Sequence, residues 1–130
     1  MSSSQQVAGA WGEAIAAARL LAAGFVVLSP YTPESYDMVA ERGGQHHRIQ
    51  VKCTRKQKRH GVSSSRYSFT IARRRRGYTK SDTDFMLLVA LDIDRCWVIP
   101  VEDVKTPMVA INTASPSKWD KYSEAWHLLD

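Results

Sequence analysis

The dipeptide Gly43-Gly44 constrains the fold of this chain more than any other feature, because it divides two stretches of strand-like sequence. Two adjacent glycines supply the positive φ angles of a tight reversal, so residues 36–41 and 45–54 are expected to pair as an antiparallel hairpin. With both glycines in the turn, cross-strand partners carry numbers that add to 87, and any even-membered loop centred on them keeps that register. The second arm alternates, with Ile49, Val51 and Cys53 on one face and Arg48, Gln50, Lys52 and Thr54 on the other. Asp37 then faces Gln50, and Lys52 lies one diagonal step along the same face.

The flanking sequence supplies the rest of an α/β pattern. Residues 7–28 carry only two charges, Glu13 and Arg19, and Val7, Trp11, Ile15, Ala18 and Ala22 recur at helical spacing before a stop at Gly24. This predicts a buried helix of about 16–18 residues, small-sided enough to pack closely on a sheet, preceded by a frayed polar segment at residues 1–6. Residues 25–28 read as a short interior strand closed by Ser29-Pro30. Beyond the hairpin come a basic, Ser-rich loop at 56–65, a strand at 66–72 and a second loop at 73–77. A central strand at 84–91 then turns through 92–95 into another at 96–101. Ser115-Pro116 reads as a helix start, and Trp119, Tyr122 and Trp126 as the packing stripe of a C-terminal helix. These elements fit one domain over residues 1–130, with a mixed or antiparallel central sheet flanked by helices. Neither GxGxxG nor a P-loop occurs, which argues against a dinucleotide or nucleoside triphosphate site.

Charge is distributed unevenly along this chain. Residues 42–80 hold 13 Lys and Arg and no Asp or Glu, whereas the remainder holds 5 basic and 13 acidic residues. Such a block repels itself unless an anion meets it, and a polyphosphate backbone is the partner that gains most from releasing counterions. A solvated basic face, or contact with an acidic protein, satisfies the same pattern. With 44% hydrophobic and 24% charged residues, wholesale disorder is not expected. Apolar stretches are interrupted well before the ~18 residues of a membrane span. The N-terminus does not read as a secretory signal, and Cys53 and Cys96 are too few for a disulfide framework, so a cytoplasmic location is expected. His46, His47, His60 and His127 lack metal-ligand spacing with the cysteines.

Glu13 is the sole acid in the first 33 residues and sits in an otherwise apolar helix. A carboxylate there needs a cation, a metal or water, and Arg19, six residues on, is badly spaced to pair with it along the helix. The hairpin cluster is a candidate to answer it. Asp37 and the Gln50 amide offer the hard oxygen donors that suit Mg²⁺, and a nearby Lys52 can orient or deprotonate a water. Asp37 and Lys52 also read as an ordinary exposed cross-strand acid–base pair.

These residues carry a resemblance. Trp11-Gly12-Glu13-Ala14, Gly24-Phe25, Tyr36-Asp37-Met38-Val39 and Ile49-Gln50-Val51-Lys52, in this order, resemble the PD-(D/E)xK nuclease superfamily over residues 9–54, with Asp84 opening a central strand beyond. Gln50 departs from the usual Asp or Glu, and this Gln-x-Lys variant is similar to the group I intron homing endonuclease branch and to small restriction-like and Holliday-junction-resolving relatives. The resemblance implies a restriction-endonuclease-like core and a Mg²⁺-dependent DNA endonuclease, with Mn²⁺ able to substitute, leaving 5′-phosphate and 3′-hydroxyl ends. It implies Asp37 as principal metal ligand, with Gln50, the Val51 carbonyl and Glu13 contributing, and Lys52 positioning the attacking water. Arg55, Lys56, Lys58, Arg59, Arg73, Arg74, Arg75, Arg76 and Lys80 become candidate phosphate contacts on double-stranded or branched DNA. One active centre per chain implies a homodimer or homotetramer for cutting two strands. The competing expectations are a non-cleaving DNA-binding module on the same fold and a protein-interaction module with a basic face.

Overall fold

The computed structural model describes residues 3–59, 65–72 and 76–130. Helix α1 spans Ser4–Ala22 and begins earlier than the apolar periodicity predicts, because Ser3 and Gln6 form a reciprocal cap. The Ser3 hydroxyl accepts the Gln6 N–H at 3.1 Å and the Gln6 side chain accepts the Ser3 N–H at 2.8 Å. Residues 3–6 are therefore the cap and first turn of the helix and not a frayed lead. The buried face also differs from the expected stripe: Ala8, Gly12, Ala16 and Leu20 face inward, while Val7 and Trp11 are exposed. The helix presents its smallest side chains to the sheet, which lets the two backbones approach closely.

Five strands form the central sheet in the order β1-β2-β3-β6-β7. They are β1 (Val26–Leu28), β2 (Met38–Arg42), β3 (Gln45–Thr54), β6 (Phe85–Ala90) and β7 (Arg95–Pro100). The β2–β3 hairpin turns at Gly43 (φ +59) and Gly44 (φ +82), and its partners run from Met38↔Ile49 to Arg42↔Gln45, each pair of numbers adding to 87. β3 pairs with β6 in parallel and β6 with β7 antiparallel, making a mixed sheet. β6 is buried along its whole length, as expected for the centre of the sheet. β1, in contrast, is an edge strand with Val26 and Leu28 exposed, and not the interior strand its apolar sequence predicts. Among the described residues it pairs with β2 alone, and it runs for three residues, the short form in which sheet edges are commonly left.

The parallel β3–β6 pair needs a crossover, and the basic segment supplies it. Two of its strands, β4 (Lys58–Arg59) and β5 (Ser65–Thr70), join β8 (Met108–Ile111) in a second sheet of order β4-β5-β8. The central sheet thus has two cores. Ile49, Val51, Leu87, Val89 and Val98 pack toward α1, while Met86, Leu88, Trp97 and Ile99 pack against Phe69, Ile71, Val109 and Ile111. The expected C-terminal helix is absent; Asp120–Tyr122 and Trp126–Leu129 are separate 3₁₀ turns. Its aromatic stripe divides, because Trp119 and Tyr122 belong to the second core and Trp126 to the first. Between them Ser123 bridges to Trp97 and Glu124 adopts φ +48, which no helix tolerates. Glu124 is held there by Arg19 at 2.9 Å and the Cys96 N–H at 2.7 Å, so the helix cation pairs off its own helix.

Candidate active site

The site arises where β3 outruns β2. Asp37 N–H donates to the Ile49 carbonyl at 2.8 Å, and past this bond, among the described residues, β3 has no strand partner on its β2 side. The Asp37 carboxylate takes over as the strand's partner, accepting the Val51 N–H at 2.7 Å through Oδ2. The peptide groups of Ile49, Val51 and Cys53 point to this side, since the Arg48 and Thr54 carbonyls accept N–H groups from the β6 side. The Val51 carbonyl therefore lies on the same edge as the Asp37 carboxylate. The Gln50 carboxamide reaches that carbonyl through Nε2 at 3.4 Å and is buried on the opposite face of the strand from Val51.

Glu13 arrives by way of Gly12. A Cβ at Gly12 would lie 2.8 Å from Cys53 Cβ and 3.1 Å from Cys53 Sγ, so only glycine lets α1 cross β3 this closely. The next residue is thereby set beside Asp37. Burial pushes the Glu13 carboxyl above its ordinary value, and the Asp37 charge pushes it further. Burial also raises Asp37, opposed by the Val51 N–H and the Lys52 ammonium. Cys53 is raised by burial and by Glu13, against Arg55 and Lys52. Glu13, Asp37, Lys52 and Cys53 therefore share one electrostatic neighbourhood. Lys52 itself lies over the Tyr78 ring, 5.3 Å from its centroid.

Alongside runs a cleft of about 470 Å³ between the first turns of α1 and residues 51–55 at the end of β3. Arg55 sits on its rim and donates to the Ser4 carbonyl at 3.1 Å. Lys56 is exposed, Lys58 and Arg59 fall on β4, and Arg73, Arg74 and Arg75 lie outside the described residues. Arg76 and Lys80 have local partners: Arg76 pairs with Asp82 at 2.7 Å, and Lys80 with Asp84 at 3.4 Å. Asp84 chiefly serves Arg48, accepting its backbone N–H at 2.7 Å and its guanidinium. Arg48 and Tyr78 escaped the sequence reading, because nothing at their positions signals that the loop before β6 folds back over β3.

A family model described as PD-(D/E)XK endonuclease matches residues 3–129. The chain belongs to this family. Among solved structures, the bacterial homing endonuclease I-Ssp6803I is similar, with 27% identity and a TM-score of 0.81, covering 99% of this chain and 92% of that one. No curated protein matches. PD-(D/E)XK endonucleases generally use divalent metal ions, and the donor chemistry here suits one. The Asp37 and Glu13 carboxylates, the Gln50 carboxamide oxygen and the Val51 carbonyl are hard oxygen donors of the kind Mg²⁺ takes together with retained waters. Among the described residues no group of three or more His, Cys, Asp or Glu side chains is placed to hold a metal ion, so a divalent ion bound here would also draw on carbonyl oxygens and water.

Proposed function

We propose that this chain is a Mg²⁺-dependent DNA endonuclease hydrolysing phosphodiester bonds to 5′-phosphate and 3′-hydroxyl ends. The observation that carries the reading is the Asp37 carboxylate on the free edge of β3, beside the Val51 carbonyl and within electrostatic reach of both Glu13 and Lys52. Asp37 is the principal metal ligand; Gln50 and the Val51 carbonyl supply further oxygens, and Glu13 holds a ligand water or a second ion. Bound Mg²⁺ would neutralise charge on the phosphoryl oxygens and acidify a water. Lys52 donates to the attacking water and the adjoining phosphoryl oxygen, fixing the in-line approach. Arg55, Lys56 and the basic crossover bind phosphates on either side, with Lys58, Arg59, Arg73, Arg74, Arg75, Arg76 and Lys80 as further candidates.

Likeness to a homing endonuclease favours double-stranded DNA and a homing- or restriction-like role, with branched junctions as the alternative substrate. With one centre per chain, cleavage of both strands calls for a homodimer or homotetramer of single-domain chains acting in the cytoplasm. Gln50 favours a second reading, a DNA-binding module that no longer cuts, since an amide oxygen binds Mg²⁺ more weakly than a carboxylate. Supercoiled plasmid and a four-way junction, each incubated with protein in Mg²⁺, Mn²⁺ or EDTA, separate the readings. Metal-dependent nicking that Lys52→Ala loses is the expected result. Salt-sensitive binding with no cleavage above the Lys52→Ala level would establish the second reading instead.

A further inference from the structure

We propose that Tyr78 is the positioning residue for Lys52, holding its ammonium at the site through the face of the aromatic ring. The inference rests on the nuclease reading above. A lysine on a four-carbon stem is a mobile point charge, so its usefulness depends on what limits its rotamers. Here the Lys52 Nζ lies 5.3 Å from the Tyr78 ring centroid, inside the range of a cation–π contact. The ring is itself half-buried and braced against the second core.

The segment that carries Tyr78 is fixed independently of Lys52. Asp82, buried within it, accepts the Thr79 N–H at 2.9 Å and both arms of the Arg76 fork at 2.7 and 3.0 Å. Arg48 on β3 donates to the Lys80 carbonyl at 2.6 Å and the Ser81 carbonyl at 3.2 Å. The Thr83 hydroxyl returns to the Arg48 carbonyl at 3.0 Å. One turn segment is therefore bolted to the strand that bears Gln50 and Lys52, and Tyr78 is the side chain it lays over the lysine. The ring presents a face to the ammonium without competing for its protons, so all three N–H donors remain available to water and phosphate. Pairing Lys52 with a second carboxylate in its place would tie up at least one of those donors.

Two measurements on wild type, Tyr78→Phe and Tyr78→Leu test this. The first is the NMR shift of the Lys52 ε-methylene protons, which needs no catalysis. Ring-current displacement upfield of the other lysines in wild type and Tyr78→Phe, and its loss in Tyr78→Leu, is expected. The second is cleavage of plasmid DNA in Mn²⁺ across a range of DNA concentrations. Tyr78→Phe should keep kcat within about threefold, and Tyr78→Leu should lose about 10- to 100-fold in kcat with KM little changed, the signature of a misplaced group. A displaced ε-methylene in wild type with unaltered kcat in Tyr78→Leu would overturn the positioning role while leaving the nuclease reading intact. An undisplaced ε-methylene in wild type would overturn the contact itself. Absence of any wild-type cleavage would remove the nuclease reading and this proposal with it.

Discussion

Glu13 and Asp37 work against the stability of the metal-free fold. Burial raises the Glu13 carboxyl above its ordinary 4.5, and Asp37 adds to the shift. A raised acid binds its proton more tightly in the native state than in the unfolded one, so stability declines as pH rises from 4.5 through the higher folded value. Glu13→Gln should therefore raise the melting temperature in EDTA near neutral pH by about 2–5 °C, with the gain vanishing below pH 4.5. Calorimetry across pH checks both the sign and the window. Gly12 makes a different demand. Its missing Cβ would lie 2.8 Å from Cys53 Cβ, so Gly12→Ala should cost about 1–3 kcal/mol by overpacking. Cys53→Ala, which removes the sulfur 3.1 Å away, should recover part of that loss in a double-mutant denaturation cycle.

Among the elements, the β2–β3 hairpin was readable in advance because its information is local. Two glycines set the turn, alternation sets the faces, and the register that results brings Asp37 to the end of β2. The N-terminal helix was readable as an element, but its buried face was not. Apolar residues lie all round α1, and the inward choice of Ala8, Gly12 and Ala16 depends on how close β3 comes. The C-terminal segment misled for a related reason. Trp119, Tyr122 and Trp126 share helical spacing, yet two distinct cores claim them, and Glu124 is bound to Arg19 and the Cys96 N–H. The segment preceding β6 depends on long-range pairing that no local pattern announces. Burial raises the Asp84 carboxyl, but the Arg48 hydrogen bonds and charge outweigh it and leave the net value below the ordinary 3.8. A lowered acid stabilises the fold above its unfolded pKa and loses that contribution as pH falls through the folded one. Asp84→Asn should thus cost about 1–3 kcal/mol at pH 7, and its deficit should close as pH drops below 3.8 in urea titrations at stepped pH.

Across the whole molecule, charge and topology serve one arrangement. The acid-free stretch ends β2, forms β3 and supplies most of the crossover that a parallel β3–β6 pair requires, with Lys52, Arg55 and Lys56 at or just beyond the end of β3. The proposed function assigns binding and cleavage to different residues: Arg55, Lys56 and the other basic side chains of the crossover to binding, and the Glu13, Asp37, Gln50 and Lys52 group to cleavage. Single-turnover cleavage and DNA affinity, measured on the same samples of wild type and Asp37→Asn in Mg²⁺, test that division most directly. We expect Asp37→Asn to bind DNA with the wild-type salt dependence while cutting at least about 10³-fold more slowly, as loss of the proposed metal-holding carboxylate requires. Equal cleavage rates in the two proteins would contradict it.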